Sequence, residues 1–385
     1  MPGPTLHPLL RRSLRAGATA GFAFATARFM GQPLTKQDGR LLDWDAARHT
    51  AHGRTGEQPQ RFAPEIGARY DAIANELAGA VAEVTQEAPS GFPAFQVIDR
   101  RGFIDANLEI AQRLTGPVEE LRATLPESRA TALGRVGMSR YLGEMFGFIS
   151  KRVLGQYDPV LSLSGEAPAA RPALYLVEPN VRSFEERSGA PGEDLRRWLI
   201  LHELTHAWQF GQHPWLAEHL TTLMRELVLD SLVRRLAAEG KSGAKGSGNG
   251  SSRKGFSLDT TLRTLPGELR TQLRAMGRVQ AVMSVLEGHS NFVMHQAGRR
   301  HINNFDRLED AFHRRADERS AIERLVLVAT GMNVKLRQYE VGEKFCDGVT
   351  AVGGLGLLNR VWEGPEMMPS PAELKNPQLW VARAR

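Results

Sequence analysis

Five residues in the middle of the chain, His202-Glu203-Leu204-Thr205-His206, set two imidazoles four positions apart with a carboxylate directly after the first. On a helix, residues at that spacing lie one turn apart, about 6 Å between Cβ atoms, so both imidazoles can reach one ion, and imidazole nitrogens are common zinc ligands. Glu203 is rotated by about 100° from His202. It would therefore sit beside the ion, where a carboxylate can take a proton from a zinc-bound water and pass it to a leaving amine. The chemistry implied is hydrolysis with Zn2+ as cofactor, His202 and His206 as metal ligands and Glu203 as general base. The competing reading is a pair of packed or surface histidines with no metal.

That geometry demands a helix, and the flanking residues supply its limits. Gly189-Ala-Pro-Gly192 breaks the chain, Glu193 and Asp194 suit a first helical turn, and Gly211 with Pro214 ends the pattern. Apolar Leu199, Ile200 and Leu201 precede the motif.

Zinc requires a third protein ligand. The extended metzincin pattern would place Gly at 209 and His at 212, but both positions are Gln, which excludes that class. His213 follows the helix end and precedes Pro214, as a loop histidine would. Glu218 and His219 open a new helix close to the motif and read as neighbours of the ligands. The strongest candidate is Glu287. Val279, Met283 and Glu287 share one helical stripe, so a carboxylate ends an apolar, core-facing row. A carboxylate buried there needs a partner, and a metal provides one; pairing with an Arg is the alternative. His289 lies about 200° from Glu287 around a regular helix, so the two cannot easily bind the same ion.

The rest of the chain reads as mainly α. Apolar residues recur at three- and four-residue steps, as in Tyr70 to Val84 (Ile73, Leu77, Val81, Val84) and Ile322 to Ala329. The best strand signal is Pro172-Ala-Leu-Tyr-Leu-Val-Glu178, a small β element ahead of the zinc helix. Residues 239–255 are Gly/Ser/Lys-rich and cannot bury enough apolar area to offset their ordering entropy, so a flexible insertion between two helices is expected there. The expected organisation is an N-terminal basic, amphipathic segment over 1–41 and one domain over 42–385.

Composition narrows the function classes. At 42% hydrophobic and 24% charged, 385 residues can bury a large core. The single cysteine, Cys346, excludes an internal disulfide and reads as a small buried apolar residue. The net charge of +6 is spread along the chain among acidic residues, which argues against a specific nucleic-acid site. No run of 18 apolar residues predicts a transmembrane segment. Arg11, Arg12 and Arg15 ahead of an Ala/Gly-rich stretch have the outline of an export signal, but the apolar part is short and Arg28 follows it. The expected location is the cytoplasm, with the N-terminus as the one candidate for export or for contact with a membrane surface.

Several short motifs, taken in order, resemble a bacterial family of zincin-like proteins sometimes labelled as associated with biosynthesis of a deazaflavin coenzyme. They are Leu42-Asp-Trp-Asp-Ala-Ala, Arg152-Val-Leu-Gly-Gln-Tyr-Asp158, Leu174-Tyr-Leu-Val-Glu-Pro-Asn180, His202-Glu-Leu-Thr-His-Ala-Trp-Gln-Phe210, Pro214-Trp-Leu216, Leu286-Glu-Gly-His289, Lys335-Leu-Arg-Gln-Tyr339 and Asn376-Pro-Gln-Leu-Trp380. The resemblance implies a mostly helical zincin fold with the zinc helix in its core, and it implies no substrate. After Glu287, where the family pattern is acidic, this chain has Asn291 and His295.

The function expected from these residues is a metallopeptidase acting on a peptide or protein substrate. Tyr339, Arg337 or His289 are candidate donors to the reacting oxyanion, and the strand Ala173 to Glu178 is a candidate edge for an extended substrate. The alternatives are a zinc-binding scaffold that keeps the fold without turnover, and a zinc hydrolase of non-peptide amides or esters.

Overall fold

The computed structural model describes residues 42–89, 91–123, 129–160, 171–226, 258–317 and 332–385. The N-terminal segment 1–41, the Gly/Ser run 239–255 and the predicted helix Ile322 to Ala329 lie outside the described residues.

The described chain is mainly helical with one small sheet, as the patterning predicts. Its elements are α1 (Trp44–Thr55), α2 (Pro64–Thr85), β1 (Phe95–Ile98), α3 (Arg100–Ala123), α4 (Arg129–Ile149), β2 (Gly155–Asp158), β3 (Ala173–Val177), α5 (Glu178–Ser188), α6 (Gly192–Gln212), α7 (Leu258–Val293), α8 (Phe305–Asp317), α9 (Met332–Asn359), α10 (Pro371–Lys375) and α11 (Pro377–Ala384). Residues 215–226 are also helical, and a π-helical turn, Met294–Gly298, continues α7. Among the described residues no helix is long and apolar enough to cross a membrane.

The helix α6 runs between the limits predicted for it, with Glu193 and Asp194 in its first turn. It is buried on nearly every side: Leu195, Leu199, Ile200, Leu201, Leu204, Ala207 and Trp208 all belong to the main core. Burial of each large side chain contributes about 1.5–3 kcal/mol, so this helix is held by packing all around rather than along one stripe. The predicted face of α2 packs into the same core, with Ile73, Leu77, Val81 and Val84 buried. Cys346 is buried as well.

Polar ties fix where α6 starts. Tyr70 Oη donates to the buried Glu178 carboxylate at 2.5 Å, and Arg196 on α6 reaches Glu178 at 3.4 Å and Glu185 at 2.9 Å. Asn304 Nδ2 donates to the buried Asp194 carboxylate at 2.5 Å. These contacts lock the first turns of α6 to α2, to α5 and to the segment leading into α8.

The sheet has the order β1-β3-β2, with β1 parallel and β2 antiparallel to β3. The strand foreseen at Ala173 to Glu178 is thus the central one, paired through Phe95↔Leu174 on one side and Gly155↔Leu176 on the other. Both its edges are taken, so the expectation that it could receive a substrate strand is corrected. Among the described residues the outer edge of β2 has no strand partner.

Candidate metal centre

His202, Glu203 and His206 stand in the buried middle of α6, and Glu287 comes from α7, which packs across it. His202 Nε2 and His206 Nε2 are 3.2 Å apart. Each lies 3.6 Å from Glu287 Oε2. Ligand atoms about 2.0–2.2 Å from a tetrahedral ion stand roughly 3.3–3.6 Å from one another, so these three atoms span one face of a zinc tetrahedron. The donor set fits in charge as well, since the carboxylates of Glu287 and Glu203 offset a divalent ion. Side-chain exposures of 15% for His202 and 12% for His206 leave the site in reach of solvent. Among the described residues this is the one cluster of His, Cys, Asp or Glu arranged to hold a metal.

Each side chain is held by its own surroundings. The His202 ring lies parallel to Trp198, one turn earlier, with a 4° interplanar angle and 6.4 Å between centroids. Trp198 in turn stacks on Phe312 at 4.0 Å, so an aromatic wall backs this ligand. His206 Nδ1 lies 2.8 Å from Gln209 Oε1 and 3.4 Å from Ser290 Oγ. Burial disfavours the His206 imidazolium, but the hydrogen bond and charge of Glu287, with the charge of Glu203, more than offset this and raise its pKa. Glu203, 5% exposed, sits against the start of β2: a Cβ at Gly155 would come within 2.7 Å of Glu203 Oε1. The residue at 155 must lack a side chain for the carboxylate to lie where it does.

Glu287 is 6% exposed and follows the buried Val279 along α7, as its stripe predicts. Its position depends on an unusually close approach of α9. A methyl group on Gly288 would overlap the backbone of Gly342 and Glu343, and one on Gly342 would overlap the carbonyl of Ser284. The backbone of α9 therefore presses on the turn of α7 that carries the ligand.

The remaining predicted residues are placed as follows. His289 is 1% exposed and is packed between Trp208 (5.7 Å, stacked) and Trp362 (5.0 Å, edge-on). Burial, with His206 and His213 nearby, pushes its pKa down to about 3, so at neutral pH it is uncharged. It reaches the ligands only through Gln209, whose Nε2 lies 3.3 Å from His289 Nδ1. Tyr339 and Arg337 lie on α9, with side chains outside what the structure describes. Glu218 is exposed, His219 lies edge-on to Trp215, and neither joins the metal cluster. His213 packs on Trp208 and Trp362, and burial pushes its pKa down to about 4.

Gln209 stands in the sequence as a departure from the metzincin glycine, and its i+3 spacing from His206 marks it as a helical neighbour. Ser290 and Trp198 carry the same kind of signal, four residues from Leu286 and His202. Gly155 carries none, because its contact with Glu203 is tertiary.

No curated protein matches the chain. A solved crystal structure from Chloroflexus aurantiacus, described as a provisionally assigned hydrolase with a novel fold, is similar at 29% identity and a TM-score of 0.62; the match covers 89% of this chain and 98% of that one. The family described as zincin-like metallopeptidase matches residues 42–381. With its histidine pair and carboxylate at zinc spacing, the chain belongs to the zincin-like metallopeptidase family.

Proposed function

We propose that the protein hydrolyses peptide bonds, with His202, His206 and Glu287 as zinc ligands and Glu203 as general base. The observation that carries this reading is the triangle of ligand atoms at 3.2, 3.6 and 3.6 Å with Glu203 beside it. A zinc ion held there would supply a Lewis acid that polarises a carbonyl and brings the pKa of water down to about 7.

The protein's own groups do the rest. Glu203 follows His202 by one residue and so is turned by about 100° around α6, where its carboxylate accepts the proton of the attacking water and returns it to the departing amine. Its position against the backbone of Gly155 ties the base to β2. Among the described residues that strand has no strand partner on its outer edge, and an extended peptide pairing along it would bring its scissile carbonyl to the base. The aromatic backing of His202 and the hydrogen-bonded mount of His206 keep both imidazoles from rotating away.

The test is Glu203→Gln. It should retain zinc within about threefold of wild type while hydrolysis of a peptide library falls by at least about a hundredfold, because proton transfer alone is deleted. Activity within about tenfold of wild type would refute the assignment of the base.

A further inference from the structure

The second hydrogen-bond layer behind His206 decides which nitrogen of that ring can bind a metal, and the decision starts at a backbone carbonyl. The Leu286 oxygen can only accept hydrogen bonds. Gln209 approaches it at 3.0 Å, so the amide must present its NH2 there. Its oxygen is then directed at His206 Nδ1, 2.8 Å away. An amide oxygen can only accept, which obliges Nδ1 to carry the proton. A neutral imidazole with Nδ1–H has its lone pair on Nε2, the atom that faces His202 Nε2 and Glu287 Oε2. The second amide N–H donates to His289 Nδ1 at 3.3 Å, which suits a neutral imidazole there. Ser290 Oγ donates to the same Leu286 carbonyl at 3.1 Å.

Turning the amide over would set its oxygen against the Leu286 oxygen and its NH2 against His206, and would leave the His206 lone pair on the wrong nitrogen. Gln209 and Ser290 are 0% exposed and His289 1%, so water cannot compensate for a mispaired buried group. The same amide joins α6 to the residue just before Glu287, across 77 positions of sequence.

We infer that Gln209 is a positioning residue: anchored on the Leu286 carbonyl and on His289, it holds His206 in the Nδ1–H tautomer before any ion arrives and ties that ring to the turn bearing Glu287. This rests on the reading of His206 as a ligand.

The experiment uses nitrogen-15 NMR of the imidazoles in the metal-free full chain, with His206 assigned by difference from His206→Gln, alongside zinc affinity by chelator competition. Read at a pH high enough for the ring to be neutral, His206 in wild type should be in the Nδ1–H form. Gln209→Leu should lose that preference and bind zinc about 10–100-fold more weakly. Gln209→Glu separates a simple acceptor from a bridge, because it keeps an oxygen for His206 but cannot donate to Leu286 or His289; it should also lose at least about tenfold. An Nε2–H tautomer in wild type, or zinc binding by Gln209→Leu within about threefold of wild type, would overturn the inference. Full affinity in Gln209→Glu would overturn the bridging role. The wild-type spectrum decides the tautomer even if a variant does not fold. Failure of wild type to bind zinc would instead sink the metal reading, while the tautomer result still stands on its own.

Discussion

Two histidine–carboxylate clusters lie within about two turns of one another along α7 and its π-helical extension, and they are built to opposite ends. In the first, two imidazole nitrogens face each other at 3.2 Å with the Glu287 carboxylate 3.6 Å from both. Those distances leave the three groups slightly apart, around a common centre. In the second, His295 uses each ring nitrogen on a different carboxylate, Glu343 through Nδ1 and Glu309 through Nε2 at 2.6 Å, with Arg299 3.6 Å from Glu309. That cluster completes itself and leaves no lone pair aimed at a shared point. The same residue types make a metal site or an ion-pair clamp according to where their nitrogen atoms point, and composition does not distinguish them.

The contrast is sharpest in metal affinity. His202→Ala or Glu287→Ala should weaken zinc binding by about a thousandfold or more, since each removes one of three ligands. His295→Ala and Glu309→Ala should leave it within about threefold of wild type. Chelator competition on the four variants checks this, and equal losses in both pairs would erase the distinction drawn between the clusters.

A second, smaller effect separates how the clusters are supported. The candidate metal site depends on backbone contact between α7 and α9, so Gly288→Ala should destabilise the fold by about 1–3 kcal/mol through overpacking and weaken zinc binding with it. Urea unfolding with a parallel zinc titration measures both. Unchanged stability would mean that the two helices can separate without cost.

The smallest effect belongs to the clamp and depends on pH. The hydrogen bond that His295 donates to Glu343 raises its pKa above the ordinary 6.5; burial opposes this, and the charges of Glu343 and Glu309 add to the rise. Asp347, near Glu343, has its own pKa raised by burial and by that neighbour's charge. A His whose folded pKa is raised contributes stability in full below about pH 6.5 and loses it as pH climbs through the folded value. His295→Gln should therefore cost about 1 kcal/mol at mildly acidic pH, with the gap from wild type closing as pH rises. A gap that widens with pH would show that His295 is not charged in the fold.

The three residues that could hold a metal are legible in the sequence because their signals are local. His202 and His206 declare themselves by helical spacing, and Glu287 by ending an apolar row whose first member, Val279, is buried. What stayed hidden is tertiary. The strands β1 and β2 have four residues each, too few for alternation to stand out. The apolar run at Ala173–Val177 marks a strand but carries no sign of being central. His289 was correctly separated from Glu287 by its angle around the helix, yet nothing in its flanks reveals the two indoles that enclose it. Gly155 gives no hint that a carboxylate 48 positions later lies against it.

The helices α6 and α7 that carry the candidate ligands are far apart in the chain, with Gln209 and Leu286 separated by 77 residues. An ion gripped by both would act as a staple closing a long ring of polypeptide, and that ring contains the Gly/Ser run 239–255. The entropy of closing such a ring grows only with the logarithm of its length, about 0.6 kcal/mol for each doubling. Lengthening or trimming the run therefore changes ring size at almost no thermodynamic penalty to the staple. The interval between the two halves of the site is free to vary, while the few residues that aim the ligand atoms are not.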